Sequence, residues 1–286
     1  MLTPRTDPSP PNADLQITTT LRYDPALSHI PNLPPSYPSP PNSPNTPYYL
    51  LPYHLDRLLA AATAFNWPAA AALLSQPPAQ LLTHLTTHCA NHIPDPSRAH
   101  RLRILLDDTG QITVEATPTS PLASHILLLP AHPSFDTLDH HHQHPPWTLH
   151  LDTQPTAPSL FTTHKTTART AYTAARARAG IVSPQDPVEV LLYNPAGEVM
   201  EGSITSVYFR RGGRWVTPAL GCGGNAGTSR RYALACGGCV EGVVRVEELV
   251  GGERVWLSNG VRGFLPAVLR VGEGGRGRER ERGVKF

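Results

Sequence analysis

Proline decides where this chain can build regular structure. It holds 32 prolines in 286 residues, crowded toward the N-terminus. Proline has no amide proton to give a helix interior or a central strand. Residues 28–47, where Pro alternates with Ser and Asn, are therefore expected to form a loop or insertion of polyproline character outside the core. The same reasoning makes a loop of residues 131–146, which hold Asp139-His-His-His-Gln-His144 and further prolines.

Regular elements must fall between these stretches. The β-branched run Leu15–Tyr23 predicts a strand, ended by Asp24-Pro25, and Tyr48–Leu51 predicts a second. Apolar residues at Leu55, Leu58, Leu59, Ala62 and Phe65 have helical spacing over His54–Trp67, with Arg57 beside the buried face in the first turn. A second amphipathic helix is predicted over Pro78–His92. Arg101–Leu106 and Gln111–Glu115 flank Asp107-Asp-Thr-Gly110 as a hairpin. Trp147–Asp152 reads as a strand closing the first half. The second half is punctuated by glycine. A helix is predicted over Thr166–Ala179, ended by Gly180. Strands are predicted at Val188–Asn194, at Glu198–Phe209 with Gly202 as a bulge or close approach, and at Trp215–Pro218. A Gly-rich loop, 221–227, leads into a helix starting near Thr228. Strands follow at Gly242–Leu249 and Glu253–Leu257, and Gly260–Leu269 finishes the fold.

Several function classes are excluded or disfavoured. A net charge of +2 gives no electrostatic case for nucleic acid or an acidic membrane surface. No apolar run reaches about 18 residues, so no membrane span is expected. The N-terminal residues have no apolar core of a secretory signal, which makes the cytoplasm the default location. Four cysteines are too few and too uneven for a disulfide framework. Cys236-x-x-Cys239 with Cys222 lacks the second pair that a structural zinc site needs, so no metal site is expected.

The basic residues are more informative. Only two are lysines, Lys165 and Lys285; all the others are arginine. Lys285 is penultimate in a charged tail, which leaves Lys165 as the one lysine inside a foldable region. Arginine cannot lose its proton in a protein, whereas a desolvated lysine amine can, and it can then form a Schiff base with an aldehyde. Downstream, Glu201 lies in a strand region and needs a cationic partner or a proton if buried. Gly223-Gly-Asn-Ala-Gly227-Thr228-Ser229-Arg230 runs a glycine loop into a helix start, whose free N–H groups suit a phosphate. Arg57 could complete that phosphate site from the first half. An imine-forming amine, a carboxylate for a ring nitrogen and an anion cradle are what pyridoxal phosphate asks of a protein.

Taken in order, Lys165, Glu198-Val-Met-Glu201-Gly-Ser-Ile-Thr-Ser-Val-Tyr-Phe209, Thr217-Pro-Ala-Leu220, Gly227-Thr-Ser-Arg230 and Leu257-Ser-Asn-Gly-Val-Arg-Gly263 with Pro266 resemble the fold-type IV pyridoxal-phosphate enzymes, the class IV aminotransferases and aminodeoxychorismate lyases. The resemblance covers residues 159–270 and, more loosely, Leu15 to Arg57. It implies a mixed α/β (α+β) fold of the D-amino-acid aminotransferase type, two domains with the cofactor in the cleft between them. These are expected at 14–153 and 159–270, with a disordered leader at 1–13 and tail at 271–286. It also implies a homodimer. Lys165 is then the cofactor-linked lysine and proton shuttle, and Glu201 holds the pyridine nitrogen. Arg57, Thr228, Ser229 and Asn259 surround the phosphate. His164-Lys-Thr-Thr-Ala-Arg169 and Ser258–Gly263 are more similar to the lyases than to the transaminases. The implied reaction is loss of pyruvate from 4-amino-4-deoxychorismate to give 4-aminobenzoate. A class IV aminotransferase acting on branched-chain or D-amino acids is the alternative, and a non-catalytic binding relative the next. Arg103 is a candidate for a substrate carboxylate. Gly260 stands where the family has a hydroxyl residue, and Ser206 where Asn is common.

Overall fold

The computed structural model describes residues 15–30, 33–34, 36–39, 46–129 and 145–271. The expected leader at 1–13, the histidine-rich stretch 140–144 and the tail from 272 lie outside these.

A three-stranded antiparallel sheet carries the first half. Its strands β1 (Ile17–Tyr23), β2 (His100–Leu106) and β3 (Ile112–Pro118) stand in that order. Helices α1 (Leu51–Ala64), α2 (Pro68–Leu74) and α3 (Pro78–Ala90) pack on one face of it. Each starts with a proline in its first turn, where no amide proton is needed. Leu55, Leu58 and Ala62 of α1 enter the core as the periodicity requires, and burying each leucine contributes about 1.5–3 kcal/mol. The short helix α2, between the two predicted helices, was not anticipated. The strand expected at Tyr48–Leu51 is a single bridge from Tyr48 to Tyr23. Leu50 then turns into the left-handed region (φ 56°), and α1 begins at Leu51 with Pro52 in its first turn. The proline-rich stretch is not wholly outside the core: Tyr37 is buried and packs edge-on against Tyr232.

An eight-stranded mixed sheet carries the second half. After α4 (Ser124–Leu127) come β4 (Trp147–Leu151), α5 (Leu160–Thr163), α6 (Thr170–Arg178), β5 (Val188–Tyr193), β6 (Val199–Gly202), β7 (Ser206–Arg211), β8 (Arg214–Pro218), α7 (Thr228–Ala235), β9 (Val240–Gly242), β10 (Arg254–Asn259) and β11 (Gly263–Arg270). The strand order is β6-β5-β4-β11-β10-β7-β8-β9. Strand β4, expected to close the first half, instead lies inside this sheet, parallel to both β5 and β11. The strand expected at Gly242–Leu249 is only β9 followed by a 3-10 turn at Val246–Glu248.

Strand β5 is buried on both faces. Val190 and Leu192 pack with Tyr172 and Ala175 of α6, while Leu191 faces the opposite way, into a core with Leu149 and Leu257. Glu189, in the same strand, is fully buried and accepts five hydrogen bonds. Four come from Ser203, Ile204 and Thr205, so this carboxylate holds the turn between β6 and β7.

Candidate active site

The two sheets meet along β1, and the site lies at that seam. The residues after α5 do not continue as the helix predicted from Thr166. Lys165 O accepts the N–H of Thr18 at 2.8 Å, Thr167 N–H donates to Gln16 O at 2.9 Å, and Thr166 bridges Ile17. This extended pairing delays the helix to Thr170 and fixes the backbone that carries Lys165. From the other side, Gly260 O accepts the N–H of Arg22 at 2.9 Å, which ties the β10–β11 turn to the same strand.

A cavity of about 640 Å³ opens there, within the range of small-molecule sites. Lys165, Glu201, Arg57, Thr228, Ser229 and Asn259 all line it. Burial and the nearby guanidiniums of Arg57, Arg169 and Arg101 hold the Lys165 amine well below the ordinary lysine value, and Glu201 pulls the other way. Removing a charged amine from water beside three cations favours its neutral, nucleophilic form.

Glu201 shows the complementary effect. Burial raises its carboxyl to about 7, opposed by hydrogen bonds from the Tyr172 hydroxyl and the Asn225 N–H and by the Arg169 and Lys165 charges. Tyr172 OH lies 2.6 Å from Glu201 Oε1, and the Arg169 guanidinium covers the tyrosine ring at 4.8 Å. Arg169 also donates to Ser203 O. Tyr172 and Asn225 carried no assigned role in the sequence. Their contacts to Glu201 come from chain crossings that spacing alone does not show.

Arg57 projects from α1. It donates through Nη2 to Thr19 Oγ1, which also meets His54 Nδ1 at 2.6 Å. Arginine can only donate, so Thr19 Oγ1 accepts from it, while the direction of the Thr19–His54 bond follows the imidazole tautomer. Burial first, and then Arg57, hold the His54 pKa well below its usual value, which favours the neutral ring. Burial lowers Arg57 to about 10, and its Nε is a buried donor with no partner among the described residues.

Opposite Arg57, α7 begins at Thr228 with its first N–H groups free of intrahelical partners. Ser229 Oγ bonds Ser258 Oγ at 2.8 Å, which in turn bonds Tyr208 OH at 2.7 Å. Asn259 Oδ1 accepts the N–H groups of Val261 and Arg262, so this side chain shapes the β10–β11 turn from within. Gly260 needs no side chain: a Cβ there would stand 2.7 Å from the His54 ring and 2.9 Å from Thr20 O. Gly227 is limited in the same way by the hydroxyl of Ser206.

Arg103 is a correction. It pairs with Glu115 directly across the β2–β3 ladder at 3.1 Å and does not line the cavity. Arg101, two residues earlier on the same face, lines it instead.

The donor set fits pyridoxal phosphate. A buried Arg57 donor with no partner among the described residues lines the same cavity as the start of α7, and Gly227 at that start and Gly260 in the β10–β11 turn leave no room for a side chain, which suits a dianionic phosphate. The Glu201 carboxylate suits a ring nitrogen, and the Lys165 amine, its pKa held well below the ordinary value, suits an aldehyde.

Comparison with known proteins follows the same line. The family model described as Amino-transferase class IV matches residues 43–269. A Schizosaccharomyces pombe protein named "Putative aminodeoxychorismate lyase" is 32% identical over 234 residues, covering 78% of this chain and 85% of that protein. The Saccharomyces cerevisiae protein named "Aminodeoxychorismate lyase" is 30% identical over 200 residues; the match takes in 61% of this chain and 52% of that longer protein. Among solved structures, that of a "Putative amino-acid aminotransferase" from Mesorhizobium loti superposes with a TM-score of 0.61 at 26% identity, covering 90% of this chain and all of that one.

Proposed function

The chain belongs to the amino-transferase class IV family, and from that premise we propose that it is a pyridoxal-phosphate-dependent aminodeoxychorismate lyase, releasing pyruvate from 4-amino-4-deoxychorismate to leave 4-aminobenzoate. The observation that carries the chemistry is that the only internal lysine lines a cavity with Glu201, where burial and neighbouring arginines hold its pKa well below the ordinary lysine value. The choice of lyase over aminotransferase rests on the two relatives at 30% identity or more, both of which bear the lyase name.

In this reading Arg57 and the first N–H groups of α7 hold the phosphate, and Glu201 faces the ring nitrogen. When bound, the cofactor supplies an electron sink conjugated to the carbon that bears the substrate amine. The chain supplies the rest. Lys165 Nζ would hold the cofactor's aldehyde end and would serve as general base toward the proton on that carbon. Burial first, and then the neighbouring arginines, favour the neutral form of Nζ. Tyr172 and Arg169 fix Glu201 from behind, so its charge points into the cavity. Ser203, Ile204 and Thr205, held by Glu189, form one wall. No helix among the described residues is long and apolar enough to cross a membrane. A cytoplasmic homodimer is the accompanying proposal, supported by the family resemblance.

The test is direct. The purified protein, supplied with pyridoxal phosphate and 4-amino-4-deoxychorismate, is expected to form pyruvate and 4-aminobenzoate in equal amounts with no keto acid added. Amino-group transfer that depends on an added keto acid, without 4-aminobenzoate, would replace the lyase reading with the aminotransferase one.

A further inference from the structure

Two elements face the place proposed for the phosphate, and they come from opposite halves of the chain. Arg57 stands on α1, and the free N–H groups stand at the start of α7. A cradle made from two separate helices binds best when the gap between them is fixed beforehand, because ordering that gap on binding costs affinity. Whatever fixes the gap acts on the ligand without touching it.

Both hydrogen bonds that the described residues place between α1 and α7 come from one side chain, Arg231. Its Nη2 donates to Asp56 Oδ2 at 2.9 Å and its Nη1 to Tyr53 O at 3.3 Å, while its guanidinium lies over the Tyr53 ring at 4.6 Å. Asp56 directly precedes Arg57, and Arg231 sits just inside α7, in the turn that opens at Thr228. The contact therefore joins the two helices at the ends that form the cradle. Arg231 itself does not line the cavity. Its charge nevertheless reaches the cradle: burial lowers the Arg57 pKa, Glu201 opposes that, and Arg231 adds to the lowering.

Local rules do not ask for an arginine at this position. Helix starts favour anions, and consecutive arginines there oppose the helix dipole. Arg230 turns back into its own half, to Pro218 O at 2.8 Å and to Glu241. Arg231 turns the other way, to α1. Asp56 is 61% exposed, so this ion pair contributes little to the stability of the fold. We propose that Arg231, through Asp56 and Tyr53, is a positioning residue that sets the width of the phosphate cradle. The proposal rests on the pyridoxal-phosphate part of the reading above and is independent of which reaction follows.

The experiment titrates the full chain, freed of cofactor, with pyridoxal phosphate and with pyridoxal, which lacks the phosphate, and reads binding from ligand absorbance. Wild type is expected to prefer pyridoxal phosphate. Arg231→Gln and Asp56→Asn should each weaken pyridoxal phosphate about fivefold, the scale of one exposed ion pair with a stacked guanidinium, and leave pyridoxal affinity unchanged. The double variant should be no weaker than either single one, because the same link is broken. Melting temperatures of the cofactor-free variants should stay close to wild type. The sign of the Asp56→Asn effect separates position from charge. Removing a carboxylate near the phosphate tightens binding by electrostatics alone, whereas releasing α1 from α7 weakens it. Tighter binding by Asp56→Asn would overturn the proposal, as would equal weakening of both ligands, the mark of a merely structural role. Should Arg231→Gln fail to fold, Arg231→Lys, which keeps the charge but loses the fork and the stacked plane, carries the same comparison. A preference for pyridoxal phosphate that survives both substitutions would reject the positioning role and leave the cofactor reading standing. Equal binding of the two ligands by wild type would reject the phosphate site and the positioning role with it.

Discussion

Glu201 is the residue at which the chemistry and the stability of the fold are most directly in conflict. Its carboxyl, at about 7, holds a proton in the cofactor-free protein over a range where the unfolded chain, near the ordinary 4.5, has lost it. The folded state therefore binds more protons between those values, and its stability falls as pH rises from about 4.5 through 7. Glu201→Gln should remove that slope. Urea melts of the two cofactor-free proteins at pH 5 and pH 8 should show wild type losing on the order of 1–2 kcal/mol relative to the variant on going to the higher pH, below what the full shift gives because the carboxylate opens onto the cavity. An unchanged difference between the two proteins at the two pH values would show that Glu201 is not buried as described. Bringing in a cationic ring nitrogen reverses the penalty, so the same substitution should weaken cofactor binding. At this scale the sequence was legible where chemistry dictates residue type: a lone lysine among arginines and a strand carboxylate before glycine needed no structure to stand out. Arg103 failed for a physical reason. Positions 101 and 103 share a strand face, and only the neighbouring sheet decides which of them opens onto the cavity.

At the scale of elements, the segment around Lys165 and the β10–β11 turn are both held by β1. Helix propensity over Thr166–Ala179 was overridden at its first four residues by backbone pairing with Gln16–Thr18. That is a long-range competitor which no local pattern reveals. The Gly202 approach was legible, and the reason is the Thr205 and Glu189 side chains that a Cβ would strike. Gly260 read as a departure from the family's pattern, yet the turn has no room for anything larger beside His54 and Thr20. Gly260→Ala should push the turn off β1 and carry Arg262 with it. The expected cost is about 1–3 kcal/mol of stability, typical of overpacking, with cofactor retention reduced in a dialysis assay. A variant as stable as wild type and equally able to keep its cofactor would show that the turn yields freely. Glu189 escaped notice altogether. Val-Glu-Val-Leu-Leu-Tyr reads as a strand with an outward carboxylate, whereas both faces of β5 are covered.

For the molecule as a whole, the order of strands and helices could be read along the chain, but the way the sheets are assembled could not. Strand β4 sits between β5 and β11 because parallel partners are brought together across distant parts of the sequence, as is usual for crossover connections. That assembly places a cavity whose charged lining is cationic apart from Glu201 at the junction of two sheets, and the account stands on one bond within it. Borohydride reduction of the pyridoxal-phosphate-loaded protein, followed by digestion and mass mapping, should place a single pyridoxyl adduct on the peptide containing Lys165, and Lys165→Ala should leave none there and no turnover. An adduct on Lys285 or the N-terminal amine instead, or no adduct at all, would contradict it.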